Sequence, residues 1–270
     1  MMQPNDRKLA LLFVAIVLPL SWAYEAFLIV GGGVARYGVA GLVVLMWIPG
    51  LVSLLLRRFL RLGFADAGFA AARPKYLVQA VVLPLLLALA TGVLCALLDV
   101  RYFAPLALGQ WLPFAPVFAL LLAVGLFGAL GEELGWRGFL LPKLVAGGVA
   151  HPLLISGLVW AVWHLPLIAF GGFYATPHTM LVTAAYALSI VALGGVIGAV
   201  RLRSASLWPA VLLHAAHNFF FQLAVPALLL TQPGARADLW EILGADSGLL
   251  VALLYALAFV LWFRQQAGKA

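Results

Sequence analysis

The sequence predicts an all-α, polytopic bundle of transmembrane helices, and three observations carry that prediction. The 270 residues are 66% hydrophobic and only 9% charged, where a soluble domain averages about 25% charged residues. Mean hydropathy is +1.12. Predominantly apolar runs of the roughly 20 residues that a bilayer demands recur about eight times, and Lys and Arg collect in the short connections between them.

The runs lie at about 9–31, 37–56, 76–98, 113–143, 152–172, 179–200, 205–230 and 247–264. The first follows Arg7 and Lys8, and Ser21-Trp22-Ala23 resembles a cleavage site, but the apolar stretch continues to Val30 and reads as an uncleaved span. Gly31-Gly32-Gly33, Arg73-Pro74, Gly147-Gly148, Gly171-Gly172 and Gln232-Pro233-Gly234 punctuate the series. The fourth run is too long for one simple span, so its end is expected along or below the interface. Residues 1–270 read as a single integral membrane domain. The one cysteine, Cys95, excludes an intrachain disulfide.

The net charge of +7 does not indicate a nucleic-acid partner, because the basic residues sit between spans. With the N-terminus in the cytoplasm, Arg7, Lys8, Arg57, Arg58, Arg61, Arg73, Lys75, Arg137, Lys143, Arg201, Arg203, Arg264 and Lys269 fall inside. That is 13 of 16, with Arg36, Arg101 and Arg236 outside. The bias predicts an even number of spans, both termini cytoplasmic, in a multi-pass protein of the cell membrane.

Three polar groups interrupt the apolar runs: Glu132-Glu133 with Arg137, Trp160 with His164, and His214 with His217 and Asn218. At 1.5 Å of rise per residue, Glu132 and His164 both lie about 18 Å from the cytoplasmic ends of their helices, and His214 and Asn218 about 14 and 20 Å. Charged side chains at membrane depth face a bundle interior or a wet cavity, so coincident depth predicts one shared site. Glu133 and Arg137 are spaced i,i+4, as an ion pair requires, and Glu132 points about 100° away toward the cavity. Glu132 suits a general base acting on water, and His164 suits holding that water or passing its proton to a leaving amine. His214 and Asn218 suit an oxyanion hole, in which one donor is worth about 10²–10³ in rate. Glu133, Arg137, Trp160 and His217 are read as supporting residues. Glu25 is expected to snorkel to water, Pro166 and Pro209 to adjust helix paths, and Gly194 and Gly198 to pack helices.

These residues resemble the signature of the CPBP family, the CAAX-protease and bacteriocin-processing (Abi) membrane proteins, also called type II CAAX prenyl endopeptidases. Glu132-Glu133-Leu134-Gly135-Trp136-Arg137 is similar to its E-E-x-x-x-R motif. His164 matches the histidine of F-x-x-x-H, with Trp160 in place of the phenylalanine, and His214 and Asn218 match H-x-x-x-N. The resemblance covers roughly 113–225, the core that carries all three motifs. It implies an intramembrane endopeptidase in which Glu132 and His164 activate water while His214 and Asn218 stabilise the oxyanion. It also implies substrates that are membrane-anchored or lipidated peptides, surrounding lipids as the remaining partners, and no required cofactor. Three alternatives stay open at this point. Glu132, His164 and His214 could form a zinc set, although no H-E-x-x-H helix is present. The fold could serve a non-catalytic immunity factor or scaffold. Intramembrane Glu, His and Arg also mark ion or transport paths.

Overall fold

The computed structural model describes residues 5–174 and 176–267, and only the backbone of 108 and 262–267. The inside charges expected at Arg264 and Lys269 therefore lie outside the described side chains. In chain order the elements are α1 (Asp6–Val30), α2 (Gly33–Phe59), α3 (Pro74–Leu97), β1 (Arg101–Tyr102), α4 (Leu108–Trp111), α5 (Ala115–Gly135), α6 (Leu141–Ala146) and α7 (Pro152–Phe170). They continue with α8 (Thr179–Ser204), α9 (Trp208–Asn218), α10 (Val225–Leu228), β2 (Gln232–Pro233), α11 (Trp240–Leu243) and α12 (Leu249–Ala267). Two π-helical turns, Trp136–Leu140 and Phe219–Ala224, join α5 to α6 and α9 to α10. The protein is an all-α bundle: seven described helices are long and apolar enough to cross a membrane, and α12 adds an apolar stretch over Leu249–Leu261.

Local chemistry sets most helix ends. Asn5 caps α1 by accepting the Arg7 N–H at 2.9 Å. Pro74 and Pro152 sit in the first turns of α3 and α7, where a missing N–H costs nothing. Gly38, at φ 54° and ψ −150°, kinks α2 near its start, a backbone conformation open to glycine and strained for other residues.

The connections sort onto two faces of the bundle. On one, Ser206 Oγ donates to Ala70 O at 2.6 Å, Lys143 bridges Asp6 and Asp66 at 2.9 and 3.0 Å, and Arg7 binds the carbonyls of Gly147 and Gly148. On the other, β1 pairs antiparallel with β2, and Val34 N donates to Gly171 O at 3.1 Å.

Glycines bring the site helices close. A Cβ on Gly131 of α5 would stand 2.9 Å from Met46 O of α2, so these backbones touch one residue before Glu132. A Cβ on Gly194 of α8 would lie 3.2 Å from Gly157 Cα of α7 and 3.3 Å from the Trp160 ring.

At the end of the fourth run Trp136, Phe139, Leu140 and Leu141 are fully buried, and Phe13 stacks on Phe139 at 5.1 Å and meets Trp136 edge-on at 5.8 Å. One expectation changes: Glu25 does not snorkel. It is completely buried, and its Oε2 accepts the Leu167 N–H at 3.2 Å. Pro166 interrupts the hydrogen-bond ladder of α7 at that point, and a carboxylate from α1 takes up a neighbouring donor.

Candidate active site

Three apolar helices deliver the polar groups, each with small residues on the side that packs. Glu132 and Glu133 end α5, Trp160 and His164 lie mid-way along α7, and His214, His217 and Asn218 form the last turn and a half of α9. Glu132, Trp160, His164, His214, His217 and Asn218 line one cavity of about 90 Å³, room for more than one water molecule. The coincident depth expected from helical rise is thus a shared hollow.

Glu133 and Arg137 stand behind that wall. Glu133 Oε1 accepts from Arg137 Nη1 at 2.8 Å and lies 2.9 Å from His214 Nδ1. The expected ion pair is present, fully buried, and extended to a histidine on another helix. Glu133 Oε2 and Arg137 Nε have no hydrogen-bond partner among the described residues. Glu132 Oε2 accepts the Trp160 indole N–H at 2.6 Å, and the Arg137 guanidinium lies over the Trp160 ring at 4.3 Å.

Hydrogen bonding fixes which ring nitrogen donates in His164 and in His214. His164 Nδ1 lies 2.9 Å from Trp160 O. A carbonyl only accepts, so Nδ1 carries the proton and Nε2 keeps its lone pair. His214 Nδ1 likewise donates to the Glu133 carboxylate, leaving Nε2 as its other functional atom. His217 Nδ1 is engaged by Tyr255 Oη at 3.0 Å, which gives that histidine a structural partner although it also lines the cavity. The Asn218 amide makes no hydrogen bond among the described residues. No group of three His, Cys, Asp or Glu side chains among the described residues is arranged to hold a metal ion.

One part of the cavity was invisible in the sequence. Asp246, in the turn before α12, lines the same hollow, and Tyr174 Oη and Gln222 Nε2 donate to its two oxygens at 2.5 and 2.8 Å. Burial pushes the Asp246 carboxyl above the usual carboxylate range against those two hydrogen bonds, and burial beside Asp246 pushes the Tyr174 hydroxyl up as well. An acid between Gly244 and Gly248 reads from sequence as an ordinary turn residue, so only the fold could find it. A second, more apolar groove of about 270 Å³ opens between α2, α5 and α9 and shares Leu42, Met46, Asn218 and Gln222 with the cavity wall.

No curated protein matches the chain. Residues 113–220, which contain all eight site residues anticipated above, match the family model described as type II CAAX prenyl endopeptidase Rce1-like, the family that the three motifs resemble.

Proposed function

We propose that this multi-pass membrane protein is an intramembrane endopeptidase that cleaves membrane-associated peptides with water activated by Glu132 and His164. The observation that carries the proposal is the single cavity into which α5, α7 and α9 bring Glu132, His164, His214 and Asn218. The apolar groove beside it supports lateral access for a lipid-anchored substrate, and the 13-to-3 basic bias supports a cytoplasmic position for the face bearing Arg57 and Lys143.

In this reading a water held between Glu132 and His164 Nε2 attacks the peptide carbonyl carbon, and its proton passes to Glu132. The carbonyl oxygen becomes an oxyanion bound by the Asn218 amide and by His214 Nε2–H. His214 has that second N–H in its doubly protonated form, with Glu133 as counter-ion. Collapse breaks the C–N bond, and the nitrogen takes the proton from Glu132 by way of His164. No step passes through a metal.

The test is cleavage of membrane-anchored peptides by purified protein, with and without a strong chelator. Glu132→Gln is expected to lower kcat about 10²–10⁴-fold, and chelation to leave the wild-type rate intact. Full loss of rate on chelation, restored by zinc, would establish the zinc mechanism instead. Unchanged cleavage by Glu132→Gln would remove the catalytic assignment.

A further inference from the structure

We propose that Trp160 is the positioning residue of the water-activating pair, holding Glu132 through its indole N–H and His164 through its backbone carbonyl. The inference deepens the peptidase reading and rests on it for its kinetic consequences. Phenylalanine at this place in the motif would supply the same backbone carbonyl and a ring, but no side-chain donor. Tryptophan adds a donor, and the structure uses it: Nε1–H reaches Glu132 Oε2 at 2.6 Å.

The indole is well placed for that task. Its side chain is buried, with Arg137 at 4.3 Å over one face and the rings of His214 and His164 at 5.2 and 5.6 Å. Gly194 of α8 closes the remaining side, since a Cβ there would crowd the ring at 3.3 Å. An indole nitrogen only donates, so it commits one carboxylate oxygen of Glu132 and leaves Oε1 without a protein partner at the cavity. The Trp160 carbonyl meanwhile takes His164 Nδ1–H at 2.9 Å and presents Nε2 as the basic atom. One residue therefore sets which oxygen of Glu132 and which nitrogen of His164 meet the water. A mere aromatic wall would shape substrate binding and appear in KM. A positioning hydrogen bond appears in kcat.

The test replaces Trp160 with Phe and, at this one position, with 3-benzothienylalanine, which keeps the shape and lacks the N–H. Loss of a charge-assisted hydrogen bond predicts kcat down about 10- to 100-fold in both variants, with KM within about twofold. The indole resonances of ¹⁵N-tryptophan-labelled protein supply a readout independent of activity. The resonance missing from Trp160→Phe should lie downfield in wild type and move upfield in Glu132→Leu, while the other eight of the nine tryptophans report an intact fold. Wild-type kcat in the benzothienyl variant, or a Trp160 resonance indifferent to Glu132→Leu, would overturn the proposal. If wild type cleaves no peptide, the peptidase reading fails, and the resonance still decides whether Trp160 holds Glu132.

Discussion

Among the described residues two ionic clusters lie within the bundle, and they are built to different standards. Near the face that carries the N-terminus, Asp66 is saturated: Arg57 Nη1 reaches Oδ1 at 2.6 Å, Lys143 reaches Oδ2 at 3.0 Å, and Arg201 Nη2 binds its backbone carbonyl at 2.8 Å. The Asp66 side chain keeps about a third of its surface in solvent, at 34%. The cluster at the cavity is fully buried and incomplete. Glu133 Oε2 and Arg137 Nε have no partner, and Glu132 uses one oxygen only. The first cluster is a fastening with its hydrogen-bonding capacity used up, whereas the second keeps polar atoms unpaired. The two are also joined. Arg57 Nη2 and Arg201 Nε donate to the Gly138 and Arg137 carbonyls of the π-helical turn, at 2.6 and 3.2 Å. The saturated cluster thus props the turn from which Arg137 reaches Glu133.

The sharpest way to break this comparison is to treat the adjacent glutamates separately. Glu133→Ala leaves Arg137 buried without its counter-ion and His214 without its acceptor, which should cost about 3–5 kcal/mol of stability. Glu132→Leu removes a buried carboxylate and one hydrogen bond together, and should change stability by no more than about 1 kcal/mol while abolishing cleavage. Unfolding in detergent, followed by circular dichroism against denaturant, measures both. Equal losses in the two variants would show that the neighbours belong to one structural cluster.

The Glu133–Arg137 pair and the common depth of the polar groups were legible in the sequence, and much around them was not. Spacing alone placed Glu133 with Arg137, and helical rise alone put Glu132, His164, His214 and Asn218 at one depth, because both follow from helix geometry. The π-helical turns at Trp136–Leu140 and Phe219–Ala224 left no such mark. Their extra residue per turn is chosen by packing, and such turns gather at functional sites. Asp246 was lost because a loop acid joins the cavity only through the packing of three distant segments. Glu25 was misread because sequence gives depth along a helix without saying whether a neighbour covers it. The Trp160 donor was missed because hydropathy treats aromatic rings alike.

Gly131→Ala tests whether geometry, rather than charge, holds the incomplete cluster together. The added methyl would stand 2.9 Å from Met46 O and from Trp47 Cα, both backbone atoms of α2. Overpacking of this kind costs about 1–3 kcal/mol, and it should also push Glu132 away from Trp160. Cleavage should therefore fall by more than the loss of folded protein explains, as single-turnover rates per folded molecule would reveal. A rate per folded molecule equal to wild type would mean that the site tolerates movement of α5.

The smallest effect belongs to the saturated cluster, and pH exposes it. Burial pushes the Asp66 carboxyl up, but hydrogen bonds and charges from Arg57 and Lys143 outweigh it and hold the group below its ordinary range. A carboxylate lowered in the folded state contributes stability that is complete above the unfolded value of about 3.9. That contribution is lost as pH falls through the lower folded value. With the carboxylate partly in solvent, Asp66→Asn should cost only about 1 kcal/mol at neutral pH. The difference between wild type and variant should hold steady from pH 7 to about 5 and shrink below about 4. Added salt should shrink it too, because solvent reaches the pair, whereas the cost of Glu133→Ala in the buried cluster should hardly respond. A salt-insensitive Asp66 would erase the distinction between the two clusters.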